Sequence, residues 1–250
     1  MEQVHLHFHA VLKDFIAPIE RHKVIVHDFN RKASVKDVIE SYNVPHTEID
    51  LILVNGISVD FNYIVQNEDE IHVHPRYPTP KKFIVTPILH LSPPISGTPK
   101  FIVDVNLGRL ARYLRLLGLD CLYCNHFEDK TIAEISSKTQ RIVLTRDRKL
   151  LQRKIIIFGY FVRADIPKTQ VMEVLTQFNL RPLLKPLTRC TYCNGKLIQT
   201  EKRDITHRLK PLTNKHYDKF LICSECDQIY WQGSHSAHVE CLIKELTDNS

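Results

Sequence analysis

Apolar and polar positions alternate strictly over residues 4–8, VHLHF, and residues 23–27, KVIVH, look like a second strand, so two strands are expected at the start of the chain. Ser34 can cap a helix running to about Tyr42, with Val35, Val38 and Ile39 on one face. Apolar runs at 51–54 and 57–59 flank Asn55-Gly56, a pair suited to the tight primed turn of a hairpin. Residues 70–74 alternate once more. Strand, strand, helix, then strands is the order of a compact α+β unit.

Beyond residue 99 the pattern changes to strand and helix in turn. Strands are expected at 100–103, 119–123, 141–145 and 155–162, and helices at 107–117, 130–138, 147–152 and 169–178. That alternation predicts a three-layer α/β unit with a mainly parallel sheet. In such sheets, ligands sit beyond the carboxyl ends of the strands, which makes the strand-end residues candidates for chemistry.

Between the two patterns, residues 75–99 hold seven prolines. Proline fixes φ and removes an amide donor, so the stretch reads as an extended linker or a meandering connection. A chain of 250 residues fits two domains with a small appendage. Hydrophobic residues at 43% and charged residues at 25% exclude general disorder. No apolar stretch nears the roughly 20 residues needed to cross a bilayer. The opening MEQVHLHFHA has no signal-peptide core, so a cytoplasmic protein is expected.

Charge is distributed unevenly. Residues 1–78 carry 7 basic and 12 acidic side chains, residues 79–187 carry 18 and 8, and residues 188–250 carry 9 and 8. The middle segment is therefore the one expected to meet a polyanion. Asp104 ends the first strand of that segment and Asp147 follows its third; Asp129 precedes a helix, beside Glu128 and a turn before Glu134. Carboxylates gathered at one sheet edge repel one another, and a hard divalent cation such as Mg²⁺ or Mn²⁺ relieves this while activating water. Each Asp can equally cap the helix it precedes. Asp104 and Asp147 favour the metal, whereas spacing does not separate Asp129 from Glu134.

In the helix after Asp104, Leu107, Leu110, Leu114 and Leu117 share one face, and Arg109, Arg112 and Arg115 fall on a broad opposite face. Arg146 and Arg148 flank Asp147. Guanidinium groups beside a carboxylate site can hold phosphates bidentately, positioning a nucleic acid without reading its sequence.

Four of the seven cysteines form two C-x-x-C pairs, Cys190/Cys193 and Cys223/Cys226, with 29 residues between them. Four thiolates so spaced suit tetrahedral Zn²⁺ in a closed structural site. Cys121 and Cys124 share the spacing but overlap an expected strand, where residues three apart face opposite ways; they read as free thiols. Trp231 can pack on the zinc ribbon or stack a base. Ser234 and His235 can touch phosphate, and His235 can alternatively take part in proton transfer.

The first unit resembles the ubiquitin-like β-grasp, particularly its sulfur-carrier branch, in the VNG hairpin and the NEDEIHVHP ending. It lacks a Gly-Gly tail, so a docking role for a protein partner is expected rather than carrier or redox chemistry. The blocks FIVDVNLGRLARYLRLLGLD, RIVLTRDRKLL, RCTYCNGKL and CSECDQIYWQGSH, in order, resemble the Mut-seven C-terminal RNase family. That resemblance implies a PIN-like nuclease fold with a zinc ribbon, and divalent-metal hydrolysis of RNA. It puts Asp104 and Asp147 at the PIN-like acidic positions, Asp129 at an acidic position before the second helix, and the four paired cysteines at the ribbon ligands. Cys124 stands where that pattern leads one to expect a polar or acidic residue. The expected layout is a β-grasp over 1–78, a linker over 79–99, a PIN-like domain over 100–187 and a ribbon over 188–250. The alternative function on the same fold is a non-catalytic RNA-binding adaptor.

Overall fold

The computed structural model describes residues 1–76, 88–231 and 243–245. Along the chain, β1 (Glu2–Phe8), β2 (Ile25–Phe29), α1 (Val35–Ser41), β3 (Ile49–Val54), β4 (Ile57–Val59) and β5 (Asp69–Pro75) come first. They are followed by β6 (Phe101–Val103), α2 (Gly108–Leu116), β7 (Cys121–Leu122), α3 (Asp129–Thr139), β8 (Ile142–Thr145), α4 (Arg148–Leu151), β9 (Gly159–Phe161) and α5 (Pro167–Gln177). The last part holds β10 (Leu197–Thr200), α6 (Lys202–Ile205), α7 (Pro211–His216), β11 (Phe220–Cys223) and β12 (Ile229–Trp231). The chain forms two compact units, residues 1–97 with 128–161, and residues 98–127 with 162–250.

The first unit contains a five-stranded sheet in the order β2-β1-β5-β3-β4, in which β1 and β5 run parallel. Alternation decides its faces. Val4, Leu6 and Phe8 from β1, with Ile71 and Val73 from β5, point into a core shared with Val35, Val38 and Ile39 of α1. Ser34 caps α1 as expected, its hydroxyl accepting from Asp37 N–H. The intervening histidines of β1 and β5 line the other face. Burial, then their mutual proximity, holds His9 and His72 below the ordinary imidazole value and pushes His74 down to about 4.

Residues 88–97 contain no helix or strand but are tied to this sheet. Leu91 N–H donates to Asp50 O, Ser92 N–H to the buried Asp50 carboxylate, and Arg76 Nη2 to Pro93 O. Of the proline-rich stretch, residues 91–92 are held along β3. Also in this unit, β8 and β9 pair in parallel, and β9 meets the β-grasp. Phe161 N–H donates to the buried Glu48 carboxylate at 2.6 Å, and the Phe15 and Phe161 rings meet edge-on at 5.2 Å. The apolar run 155–162 was expected to be all strand, yet only Gly159–Phe161 pairs. Ile156 N–H closes a turn onto Arg153 O, which leaves Ile155 and Ile157 exposed.

In the second unit, β6 and β7 pair in parallel, α2 packs on α5, and β10-β11-β12 form an antiparallel sheet. α2 ends at Gly118, whose φ of +86° allows Leu119 N–H to reach back to Leu114 O. This cap consumes Leu119 and shortens the strand expected at 119–123 to Cys121–Leu122. A Cβ on Gly118 would stand 2.0 Å from Lys185 O, a backbone atom that cannot swing away. Gly118→Ala is therefore expected to cost about 2 kcal/mol or more, from left-handed strain plus displacement of residue 185. A urea midpoint within error of the parent would show that this close approach is not needed.

Candidate functional site

The ribbon sheet brings the two C-x-x-C turns together. Cys193 Sγ lies 3.3 Å from Cys223 Sγ and Cys190 Sγ 3.6 Å from Cys226 Sγ, and all four sulfurs fall within 4.8 Å of one another. Tetrahedral thiolates on zinc at about 2.3 Å are separated by somewhat less than 4 Å, so the cage is the right size. Backbone N–H groups of Cys193, Gly195 and Glu225 point at the sulfurs, each at 3.4 Å. Gly195 has no room for a side chain, because a Cβ would stand 2.7 Å from Cys223 Sγ.

Burial pushes the Cys193 thiol up to about 12, and the thiols of Cys226, Cys223 and Cys190 add to that rise. Burial opposes charge on Cys190 as well. There the Tyr230 hydroxyl, 3.1 Å away, and nearby backbone amides outweigh it and bring the thiol down to about 6. Such a quartet cannot ionise fully without a cation at its centre. The four cysteines can thus hold a structural zinc. Tyr230 was not foreseen; it lies in the YWQGSH block but carries no spacing signal.

Arg115 joins the ribbon to α2. Sequence periodicity put it on an exposed face with Arg109 and Arg112, yet Arg115 is only 3% exposed. Its guanidinium donates to Cys121 O at 2.8 Å and Tyr192 O at 2.6 Å, with longer bonds to Tyr123 O and Thr191 O. A planar fork can satisfy several carbonyls at once, which is why burial here is tolerated. Asn194 adds a second tie, donating to Asp120 Oδ1 and accepting from Cys121 N–H. Arg109 and Arg112 are exposed.

Above this junction is a cleft of about 790 Å³. Gly108 and Arg112 from α2, Tyr123, Cys124 and Asn125 beyond β7, and Tyr192, Gln228 and Tyr230 from the ribbon line it. Tyr192 is 78% exposed. Tyr123 connects the cleft to the end of β6, because its hydroxyl donates to Val105 O at 3.1 Å. Asp104 directly precedes that residue; it is 4% exposed and accepts from Val105 N–H at 2.6 Å, at the start of a 3₁₀ turn into α2. Since β6 and β7 are parallel, Asp104 and the 123–125 segment both follow carboxyl ends of strands.

The remaining strand-end carboxylates belong to the other unit. Asp147 caps α4, accepting from Lys149 N–H at 2.7 Å, and its own N–H donates to Thr145 Oγ1. Asp129 opens α3 and faces Arg153 at 3.6 Å on the surface. Arg146 is exposed. The Arg148 guanidinium lies over the Phe15 and Phe161 rings and donates to Phe15 O. Cys121 is buried in β7, and Cys124, just beyond that strand, is partly buried. Trp231 packs at 6.5 Å from Phe220. Ser234 and His235 lie outside the described residues.

Among the described residues no helix is long and apolar enough to cross a membrane. No curated protein and no solved structure matches the chain. The Mut7-C ubiquitin description matches residues 1–80 and the Mut7-C RNAse domain description matches residues 99–243. The β-grasp, the parallel α/β pairs and the cysteine knuckle fall within those two spans in that order, and the chain belongs to the Mut7-C RNAse domain family.

Proposed function

We propose that the protein is a metal-dependent ribonuclease that uses a zinc ribbon as a structural part and its β-grasp to dock a protein partner. The observation that carries this reading is Asp104, buried at the carboxyl end of β6, beside a cleft lined by Arg112, Tyr123 and Asn125. Asp147, after β8, and Asp129, at the start of α3, supply the other acidic positions. Hard carboxylate oxygens of this kind suit Mg²⁺ or Mn²⁺, which supplies charge to a scissile phosphate and activates a water when bound. Arg109 and Arg112 hold the backbone phosphates, Arg146 extends the basic surface, and Tyr192 offers a face for a base. His235 adds a phosphate contact. Cysteines kept as metal ligands fit a reducing, cytoplasmic setting.

The test is cleavage of a labelled single-stranded RNA by the full chain with Mn²⁺ or Mg²⁺. Asp104→Asn combined with Asp147→Asn should lower the rate at least about 100-fold while leaving zinc content and circular dichroism unchanged. Undiminished cleavage by the pure double variant would remove these aspartates from the mechanism. A wild-type chain that binds RNA in a salt-sensitive way but never cleaves it would favour the adaptor reading instead.

A further inference from the structure

The face of the β-grasp sheet opposite the core carries a row of imidazoles that the nuclease reading leaves unused. β1 and β5 run parallel with His7 opposite His72, and period-two alternation puts His5, His7, His72 and His74 on the same face. The His7 and His72 rings stack at 4.3 Å, and the His9 and His74 rings at 4.1 Å. Glu70, two residues before His72 and opposite His5, lies on that same face and brings its carboxylate to the row. Glu70 Oε1 stands 3.0 Å from His7 Nε2 and 3.8 Å from His72 Nε2.

Two features go beyond proximity. His7 Nε2 is inaccessible to solvent and has no hydrogen-bond partner, although Glu70 Oε1 is near. A buried ring nitrogen and a carboxylate oxygen that face each other at this distance without a well-aligned hydrogen bond can both turn to one cation. The second feature is the outer nitrogen of His72. Its Nδ1 lies 3.1 Å from His9 Nε2, in position to donate a proton there and so leave His72 Nε2 as the unprotonated nitrogen. Metal-ligating histidines are commonly held in this way, with the far N–H given to a neighbouring acceptor.

We propose that His7, His72 and Glu70 form a further metal site, on the β-grasp and separate from the knuckle and the aspartates, for a borderline divalent transition ion such as Zn²⁺. The three donor atoms lie within 4.8 Å of one another, close enough to converge on one ion. Two imidazole nitrogens and one carboxylate oxygen favour Zn²⁺, Co²⁺ or Ni²⁺ over Mg²⁺ or Ca²⁺, which take all-oxygen shells. The side chain of Glu70 is 57% exposed and that of His72 33%, so the ion would be open to solution on one side, with water filling the remaining positions. An ion here would clip β1 to β5 across the parallel pairing of the sheet.

The full chain, its cysteine knuckle already loaded with zinc, is titrated calorimetrically with Ni²⁺ and then with Zn²⁺ at pH 7.5. One further ion per chain is expected, and His72→Asn with Glu70→Gln should weaken its binding at least tenfold. Both substituted side chains reach the surface, and circular dichroism checks the fold. Should the double variant not fold, Glu70→Gln alone carries the test, with a loss of a few fold expected. Unchanged affinity in the folded variant would mean that other histidines hold the ion, and would overturn the proposal. So would the absence of any binding beyond the knuckle.

Discussion

Stripping zinc from the Cys190, Cys193, Cys223 and Cys226 knuckle is expected to unfold the ribbon. Among the described residues of the ribbon, Ile205, Phe220 and Ile229 form the buried apolar cluster, with Leu209, Tyr217 and Ile222 partly buried against it, too little to hold a segment of this length by itself. Structural zinc in such cages contributes on the order of 10–16 kcal/mol, so its loss outweighs what these side chains supply. Trp231, the chain's one tryptophan, lies beside Phe220 and reports the change by fluorescence. Cys193→Ser should behave like the chelated protein.

The same site has a direction in pH. Because burial and the other thiols hold Cys193 far up, near 12, it is protonated at neutral pH without metal and must release its proton to bind zinc. Protons therefore compete with zinc, and affinity falls as pH falls. Release measured with a chromogenic chelator should rise on acidification from pH 8 to 5. Tryptophan emission that stays unchanged after complete zinc loss would contradict the structural role.

The second large effect concerns Arg115. Replacing it with Met keeps the length and removes the charge, leaving the carbonyls of Cys121, Tyr123, Thr191 and Tyr192 without their donor. Hydrogen bonds to a charged group are worth about 1.5–3 kcal/mol each and do not add fully. A loss of about 3–5 kcal/mol is expected, read as a lower urea midpoint with zinc content preserved. Arg115→Lys should recover only part of it, because one ammonium cannot span four carbonyls. If the Met variant were as stable as the parent, Arg115 would be ornamental to this junction and again available to RNA.

Arg115 also shows where one-dimensional reading stops. Helical periodicity separated the leucines of α2 from its arginines correctly, and Leu110 and Leu114 are fully buried. It could not tell Arg115 from Arg112, because the difference lies in the Cys190 turn, some 76 residues away, whose carbonyls cover one and not the other. The run IIIF at 155–158 failed for a related reason: apolar content is the same for a strand and for a turn with one buried residue. Local signals fared best where the physics is local. Ser34, Asn55-Gly56, the alternation of β1 and β5 and the two C-x-x-C turns each act within a few residues, and each was legible.

The sequence by itself determined the β-grasp and α/β layout, the cysteine knuckle and the family, since periodicity, turn chemistry and ligand spacing are written in neighbouring residues. The tertiary structure alone decided which arginine is buried, that Leu91 and Ser92 are tied to β3, and that Tyr123, Arg112 and Tyr192 share one cleft. It also decided that His7, Glu70 and His72 meet. These depend on which distant segments come into register, and a parallel pairing such as β1 with β5 brings together residues that no local pattern connects.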